Sequence, residues 1–405
     1  MKTMQWVAGL AVAGVLCACS KSPEPAVTAE SSTVNTPDTG LGVTVGSVGN
    51  EPLVAVGPDG TVYISALQHL YRSTDGGTTW TALAGPVFAG PVNENSDSSI
   101  SLDPNGRLYF TFDWPYAGLT AICTSDDRGD TFSCDPSAVP GGTDRMWVAS
   151  PANDAAFAVT NEGLYQTVFL SSTDRGLTWI PARFGSELLE PQTGPLFRKP
   201  GSSLVLQPIK LSVMTFYVFD PSNTTQVLSD ERPTPVPVSL ALPSAAFDAA
   251  GTLYTAGEDE LHAVIVGRSA DEGKTWTALP PIPATTSGTS AFSWVAAGGP
   301  GHIGVIYFQN PRAGDPGTMT GSWSAYWAET FNAMADKPDW TVTLLESNIA
   351  RGGVCIAQGC TGNTRFAGDF ISAAIDSHEG AHLAWMRQHG AGGDIRYAHL
   401  VAPGH

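Results

Sequence analysis

Ser73-Thr-Asp75-Gly-Gly77-Thr-Thr79-Trp80 is the stretch on which the reading of this chain turns, because it recurs. Ser125-Asp-Asp127-Arg-Gly129-Asp-Thr131-Phe132, Ser172-Thr-Asp174-Arg-Gly176-Leu-Thr178-Trp179 and Ser269-Ala-Asp271-Glu-Gly273-Lys-Thr275-Trp276 share its form, S-x-D-x-G-x-T-[W/F]. Their starts lie 52, 47 and 97 residues apart. The last gap is close to two periods, so one copy is lost, around Asp220-Pro-Ser-Asn223. The chemistry of the box is that of a turn between strands. Its Asp carboxylate accepts turn N–H groups, its Gly supplies a positive φ, and its terminal aromatic drops into a core.

A second signal has the same period. Turn residues precede a β-rich run at Asp59-Gly60-Thr-Val-Tyr63, Asp103-Pro-Asn-Gly106-Arg-Leu-Tyr109 and Asp248-Ala-Ala-Gly251-Thr-Leu-Tyr254. Weaker copies stand at Asn153-Asp154, Pro200-Gly201, Pro300-Gly301 and Asp376 to Gly380. Each unit then reads as inner strand, turn, second strand, third strand, box and outer strand. Four-stranded units repeated radially make an all-β, seven-bladed β-propeller, with six blades as the alternative. Inner strands are expected near Leu53–Val56, Ile100–Asp103, Met146–Ala149, Leu196–Lys199, Ala245–Asp248, Trp294–Ala297 and Ile371–Asp376. The last unit ends after three strands at Val401. A strand around Val43–Val48 would supply the fourth and close the ring.

Composition agrees. Of 405 residues, 44 are Gly and 30 Pro, and only 14% are charged. Coiled coils and helical bundles are excluded by that balance, and disorder by 42% hydrophobic residues with 11 Trp. Acidic residues outnumber basic ones 38 to 20, a formal charge of −18. Such a surface offers nothing to nucleic acid or anionic lipid.

The N-terminus reads as an address. Lys2 precedes an apolar run from Trp6 to Leu16, too short to span a bilayer comfortably. Leu16-Cys17-Ala18-Cys19 resembles a bacterial lipobox, which implies a signal peptide over 1–18 and lipidation of Cys19. An ordinary signal peptide cut nearby is the competing reading. Residues 19–42 form a flexible tether, and 43–403 a single propeller domain. An outer-membrane or cell-surface location follows, with the membrane touched only through the lipid. Setting aside Cys17 and Cys19 leaves four Cys, and in an exported protein an even count points to two disulfides. Three pairings are possible, and the short spacings favour Cys123–Cys134 and Cys355–Cys360.

The four boxes resemble the Asp-box (BNR) repeats of the sialidase-like propeller superfamily. Three further segments resemble exported bacterial sialidase-like, BNR glycosyl hydrolase proteins. They are Asp144-Arg145-Met-Trp147-Val-Ala149, Ser293-Trp294-Val-Ala-Ala-Gly298-Gly-Pro-Gly301, and Gly352-Gly-Val-Cys355 through Arg365-Phe-Ala-Gly368-Asp369-Phe370. The likeness covers residues 48–402. It implies that Asp75, Asp127, Asp174 and Asp271 are structural, sitting at outer turns away from the central pocket. The superfamily's early Phe/Tyr-Arg-Ile-Pro marker is absent, and Phe197-Arg198-Lys199-Pro200 comes after the third box.

A sialidase grips its substrate carboxylate with Arg, whose planar fork pairs bidentately, and uses a Tyr nucleophile with an acidic partner. Charged residues near the starts of inner strands are the candidates. Arg145, Arg351 and Arg365 would form the clamp, with Asp144, Asp369 or Glu51 as acid or partner. The competing expectation is that Arg145 and Asp369 tie neighbouring blades by ion pairs. Tyr116, Tyr307 and Tyr397 are each possible nucleophiles, and none is marked. No cofactor or metal is expected: His69, His262 and His302 lack metal-ligand spacing, and His382 reads as a packed or surface residue. The expected function is a monomeric envelope lipoprotein that binds or hydrolyses glycans, an exo-glycosidase if catalytic. The alternative is a non-catalytic glycan- or protein-binding propeller, or an envelope scaffold. In either case the ligand, glycan or protein, would sit at the central channel mouth.

Overall fold

The computed structural model describes residues 40–402, apart from 87–96, 115–118, 141–142, 153–154, 163–165, 186–191, 201–204, 211–213, 220–231, 235, 237–241, 356–361 and 391. The strands pair into six four-stranded antiparallel blades and one further, five-stranded sheet. The innermost strands are Leu53–Val56, Ser98–Leu102, Thr143–Ala152, Phe197–Arg198, Ser244–Phe247, Thr289–Ala297 and Ser372–Ile375. Each packs beside the next, and the last beside the first, so the sheets close a β-propeller. They are numbered here as blades 1 to 7 in that order.

The expectation is seven four-stranded blades, with six as the alternative; six sheets have four strands, and the remaining sheet, blade 4, departs from the pattern. Its inner strand is broken into Gln192–Thr193 and Phe197–Arg198, both paired with Val205–Lys210. Between them the Gly194 N–H donates to the Pro208 carbonyl at 2.8 Å. The lost box near Asp220 lies outside the described residues.

Burial along a blade follows from the radial packing. Second strands such as Val62–Ala66 and Leu253–Glu258 are buried throughout, on both faces. Outer strands such as Thr81–Ala82 and Thr277–Ala278 are exposed. Among the described residues, inner strands of different blades make no β-ladder with each other, and serines bridge them. The Val148, Val295 and Val54 N–H groups donate to Ser99, Ser244 and Ser372 Oγ at 3.0, 3.0 and 2.9 Å.

All four boxes connect a third strand to a fourth and fold alike. In blade 1, Ser73 Oγ accepts the Gly77 N–H at 2.8 Å, and Asp75 accepts the Thr79 N–H at 2.9 Å. Trp80 Nε1 donates to the Gly77 carbonyl at 3.0 Å. Blade 6 carries a degenerate copy in which Thr330 and Asn332 stand for the Ser and Asp of the box. There Thr330 Oγ1 donates to Asn332 Oδ1 at 2.7 Å, and Asn332 accepts the Asp339 N–H at 2.9 Å.

Blade 7 is completed by the chain's beginning. Val43–Gly46 pairs with Gly392–Leu400, so the N-terminal strand closes the ring as expected. The junction is held by ionic contacts that were not anticipated. Arg396 is fully buried, donates to Glu346 Oε2 of blade 6 at 2.9 Å and to the Gly42 carbonyl at 2.6 Å. Arg387 Nη1 and Trp385 Nε1 also donate to the Glu346 carboxylate, each at 3.0 Å. Cys123 and Cys134 face each other across adjacent strands of blade 2 and form a disulfide. Cys355 is also disulfide-bonded, and its expected partner Cys360 lies outside the described residues. Cys19 lies outside them too.

Candidate functional site

The two ends of the channel differ. At the end where inner strands begin, the segment before blade 7 folds inward over its neighbours. The Asp369 N–H donates to Glu51 Oε1 at 3.0 Å, and the Leu242 N–H donates to the Asp369 carbonyl at 3.1 Å. These contacts tie the starts of blades 1, 5 and 7 together. Gly368 makes the approach possible: at φ +67°, a Cβ there would lie 2.3 Å from Glu51 Cγ. Glu51 is itself buried and adopts φ +56°. Arg365 Nη2 lies 2.5 Å from Asp369 Oδ1, and its side chain stays 43% exposed.

The next residue in the chain, Phe370, joins an aromatic cluster. Phe370 packs against Trp147 of blade 3 and Trp294 of blade 6, with centroids 5.5 and 5.4 Å apart. Contacts of this kind contribute about 1 kcal/mol each beyond burial. A bulge between Ala291 and Trp294 aims the second Trp, and Glu258, buried, accepts the Ser293 N–H at 2.9 Å.

Of the expected clamp, the structure brings together Arg365, Asp369 and Glu51. It places Arg351 at the end of the outermost strand of blade 6, where its Nε donates to Ser322 Oγ at 3.4 Å. Asp144 and Arg145 lie in the inner strand of blade 3, with Asp144 opposite Asn161, and their side chains are outside the described set. Two of the Tyr candidates are buried structural groups. Tyr307 is fully buried, and burial pushes its phenol far above the ordinary range. Tyr397 is also buried and bonded to His382 Nδ1 at 2.7 Å. Tyr116 lies outside the described residues.

At the opposite end a cavity of about 340 Å³ opens between blades 7, 1 and 2. Its wall is made by the turns that leave the inner strands: Gly57, Pro58, Asp103, Pro104, Asp376 and Ser377. Pro58, Pro104 and Ser377 are exposed. The Asp side chains pre-shape the turns. Asp103 Oδ1 accepts the Asn105 and Arg107 N–H groups at 2.8 and 2.9 Å. Asp376 Oδ1 accepts those of His378 and Gly380 at 2.8 and 2.9 Å.

Behind this wall lie two histidine clusters that sequence spacing did not reveal. His382 Nε2 sits 3.0 Å from Asp376 Oδ2. Its imidazole stacks on His399, centroids 4.3 Å apart. Burial, only partly offset by Asp376, pushes the His382 pKa below its ordinary value. For Asp376 burial works the other way, yet the bonds from His382 and the turn amides hold the carboxyl low. His302 of blade 6 lies between Glu329, 2.9 Å from Nε2, and Glu379 of blade 7 on Nδ1. Burial pulls the His302 imidazole down, but its hydrogen bonds to the two carboxylates outweigh this and hold it above 6.5.

No known protein family and no curated protein matches the chain. Solved structures do. The chain is similar to YCF48 bound to D1 peptide, at 13% identity and TM-score 0.53 over 88% of this chain and 96% of that one. It is similar to a polysaccharide lyase, PL25 ulvan lyase bound to -[GlcA(1-4)Rha3S]-, at 10% identity and TM-score 0.51 over 90% and 94%. A GH74 xyloglucanase from Xanthomonas campestris aligns at 15% identity and TM-score 0.54, over 86% of this chain and 53% of that one. At such identities the likeness shows the fold, a β-propeller.

Proposed function

We propose that this chain is an exported, lipid-anchored propeller of the sialidase-like Asp-box kind that binds a neutral glycan without cleaving it. The site is the open mouth between blades 7, 1 and 2. One observation carries this reading: at the channel end expected to hold a catalytic clamp the described residues Phe370, Trp147 and Trp294 pack on one another beside the Arg365–Asp369 pair, while a cavity opens at the other end. At that same end Arg365 and Glu51 are engaged with Asp369, a structural use of groups that hydrolysis would need free.

The open mouth suits sugars. Pro58 and Pro104 offer apolar surface to the C–H face of a pyranose, and Ser377 with the turn carbonyls meets its hydroxyls. A net charge of −18 repels sialosides and other anionic glycans, which favours neutral ones. Similar folds in solved structures include proteins named for polysaccharides, which supports a glycan ligand by analogy of fold. The lipobox at Leu16 to Cys19 supports envelope anchoring. A glycan array run beside a panel of fluorogenic exo-glycosides tests the proposal. Binding to neutral glycans with no product release is expected. Turnover of a sialoside that disappears in Arg145→Ala overturns it.

A further inference from the structure

We propose that Asp376, His382 and His399 form a binding site for one divalent transition-metal ion with the ligand preference of zinc. One ligand atom from each of the three lies within 4.8 Å of the others. Two imidazoles and a carboxylate are the donors that zinc accepts at borderline softness, leaving a further position for water. Magnesium and calcium, which ask for oxygen, are disfavoured by the same set.

The repeat shows how the site arose. The second strand begins Val62-Tyr63 in blade 1, Leu108-Tyr109 in blade 2 and Leu253-Tyr254 in blade 5. The turn hydrogen bonds align Ala381-His382 with those pairs, since Asp376 N–H takes the Gly380 carbonyl as Asp248 N–H takes that of Thr252. Tyr254 reaches Asp248 Oδ2 at 3.3 Å, and His382 reaches Asp376 Oδ2 in the same way. Opposite these tyrosines on the third strand stand Arg72, Thr124 and Arg268. Opposite His382 stands His399. The carboxylate is thus shared by the turns of blades 2, 5 and 7, with Gly57 in its place in blade 1, and blade 7 alone of these four adds a cross-strand pair of imidazoles.

Space and orientation also fit. A Cβ on Gly380 would lie 2.6 Å from His399 Nε2 and 3.1 Å from Asp376 Oδ2, so the glycine keeps the cradle open. His382 and Asp376 are fixed by burial and hydrogen bonds, whereas His399 is exposed and can tilt to complete the shell. Tyr397 supplies the outer partner that metal-bound imidazoles use. Without metal, Nε2–H of His382 donates to Asp376 and Nδ1 accepts from the Tyr397 hydroxyl. With metal on Nε2 the proton resides on Nδ1 and is donated to Tyr397 Oη. The tyrosine O–H then turns to the Gly76 carbonyl, already 3.4 Å away. The imidazole stays neutral throughout, and the proton that leaves Nε2 is the one gained at Nδ1.

Calorimetric titration of zinc chloride into the chelator-treated full chain tests the site, with cobalt(II) absorbance as a second readout of ligand geometry. One equivalent is expected to bind, with visible cobalt bands typical of four-coordinate nitrogen and oxygen ligation. His399→Ala should fold normally, because the residue is exposed, and lose the stoichiometric site. Gly380→Ala should lose it as well, and Tyr397→Phe should weaken it by roughly tenfold. Unchanged binding in a folded His399→Ala, or no saturable binding in the wild type, overturns the proposal.

Discussion

Glu379 adopts φ +66° at a turn position where blades 1, 2, 5 and 6 place Gly60, Gly106, Gly251 and Gly301. A side chain there costs about 1 kcal/mol. It is offset by the bond from the Gly299 N–H at 2.9 Å and by the His302 imidazole, both in the neighbouring blade. Because the folded state raises the His302 pKa, this stabilisation is complete below 6.5 and fades as pH rises through the folded-state value. Urea unfolding of Glu379→Gly against wild type should therefore show a deficit at pH 5.5 that shrinks by pH 8.5. A deficit independent of pH would contradict the pairing. The box carboxylates behave in the opposite sense. The Thr178 hydroxyl and N–H, with Ser172, hold Asp174 at about 2, against 3.8. Its contribution is present above 3.8 and is lost as pH falls towards 2. The stability gap between wild type and Asp174→Asn should close over that range in an acid titration, and a constant gap would argue against it.

Legibility at this scale was uneven. The boxes could be read because their partners lie within four residues, as Asp75 with Thr79 does. Glu51 and Asp369 were singled out as charged residues before inner strands, but their contact spans 318 residues and has no spacing to read. The bridging serines do carry a sequence signal. Ser99, Ser244 and Ser372 each stand four residues before a turn Asp, at Asp103, Asp248 and Asp376. The His382–His399 pair depends on strand register, and a sequence shows register only once the strands are aligned.

Among elements, blade 7 carries the closure. Its first three strands come from the end of the chain and its fourth from residues 43–46. Glu346 joins it to blade 6 by accepting from Arg396, Arg387 and Trp385 while only 4% exposed. Replacing it takes the carboxylate away from the buried Arg396, a change that typically costs about 3–5 kcal/mol. Glu346→Ala should lower unfolding stability by that amount, measured in denaturant. A loss under about 1 kcal/mol would mean the junction rests on packing alone. Blade boundaries were legible because each hairpin turn and box repeats on one period. The broken inner strand of blade 4 was not, since Gly194 and Pro208 act through a cross-strand contact.

At the scale of the molecule, the propeller follows from repetition, and its function from how the two channel ends are finished. The sequence pattern placed an acid-and-arginine clamp at the strand-start end. Among the described residues there, Phe370, Trp147 and Trp294 pack on one another and Arg365 is engaged with Asp369. Nothing in the spacing of those aromatics, drawn from three blades, marked them as neighbours. The cavity at the other end is likewise built from three separate turns. The most direct measurement is a calorimetric titration of the best neutral array glycan into wild type and Ser377→Trp, whose indole would fill the mouth. Saturable binding in the wild type, lost in Ser377→Trp and with no continuing heat of turnover, is the expected result. Equal affinity in both proteins, or sustained hydrolysis, would contradict a non-catalytic site between blades 7, 1 and 2.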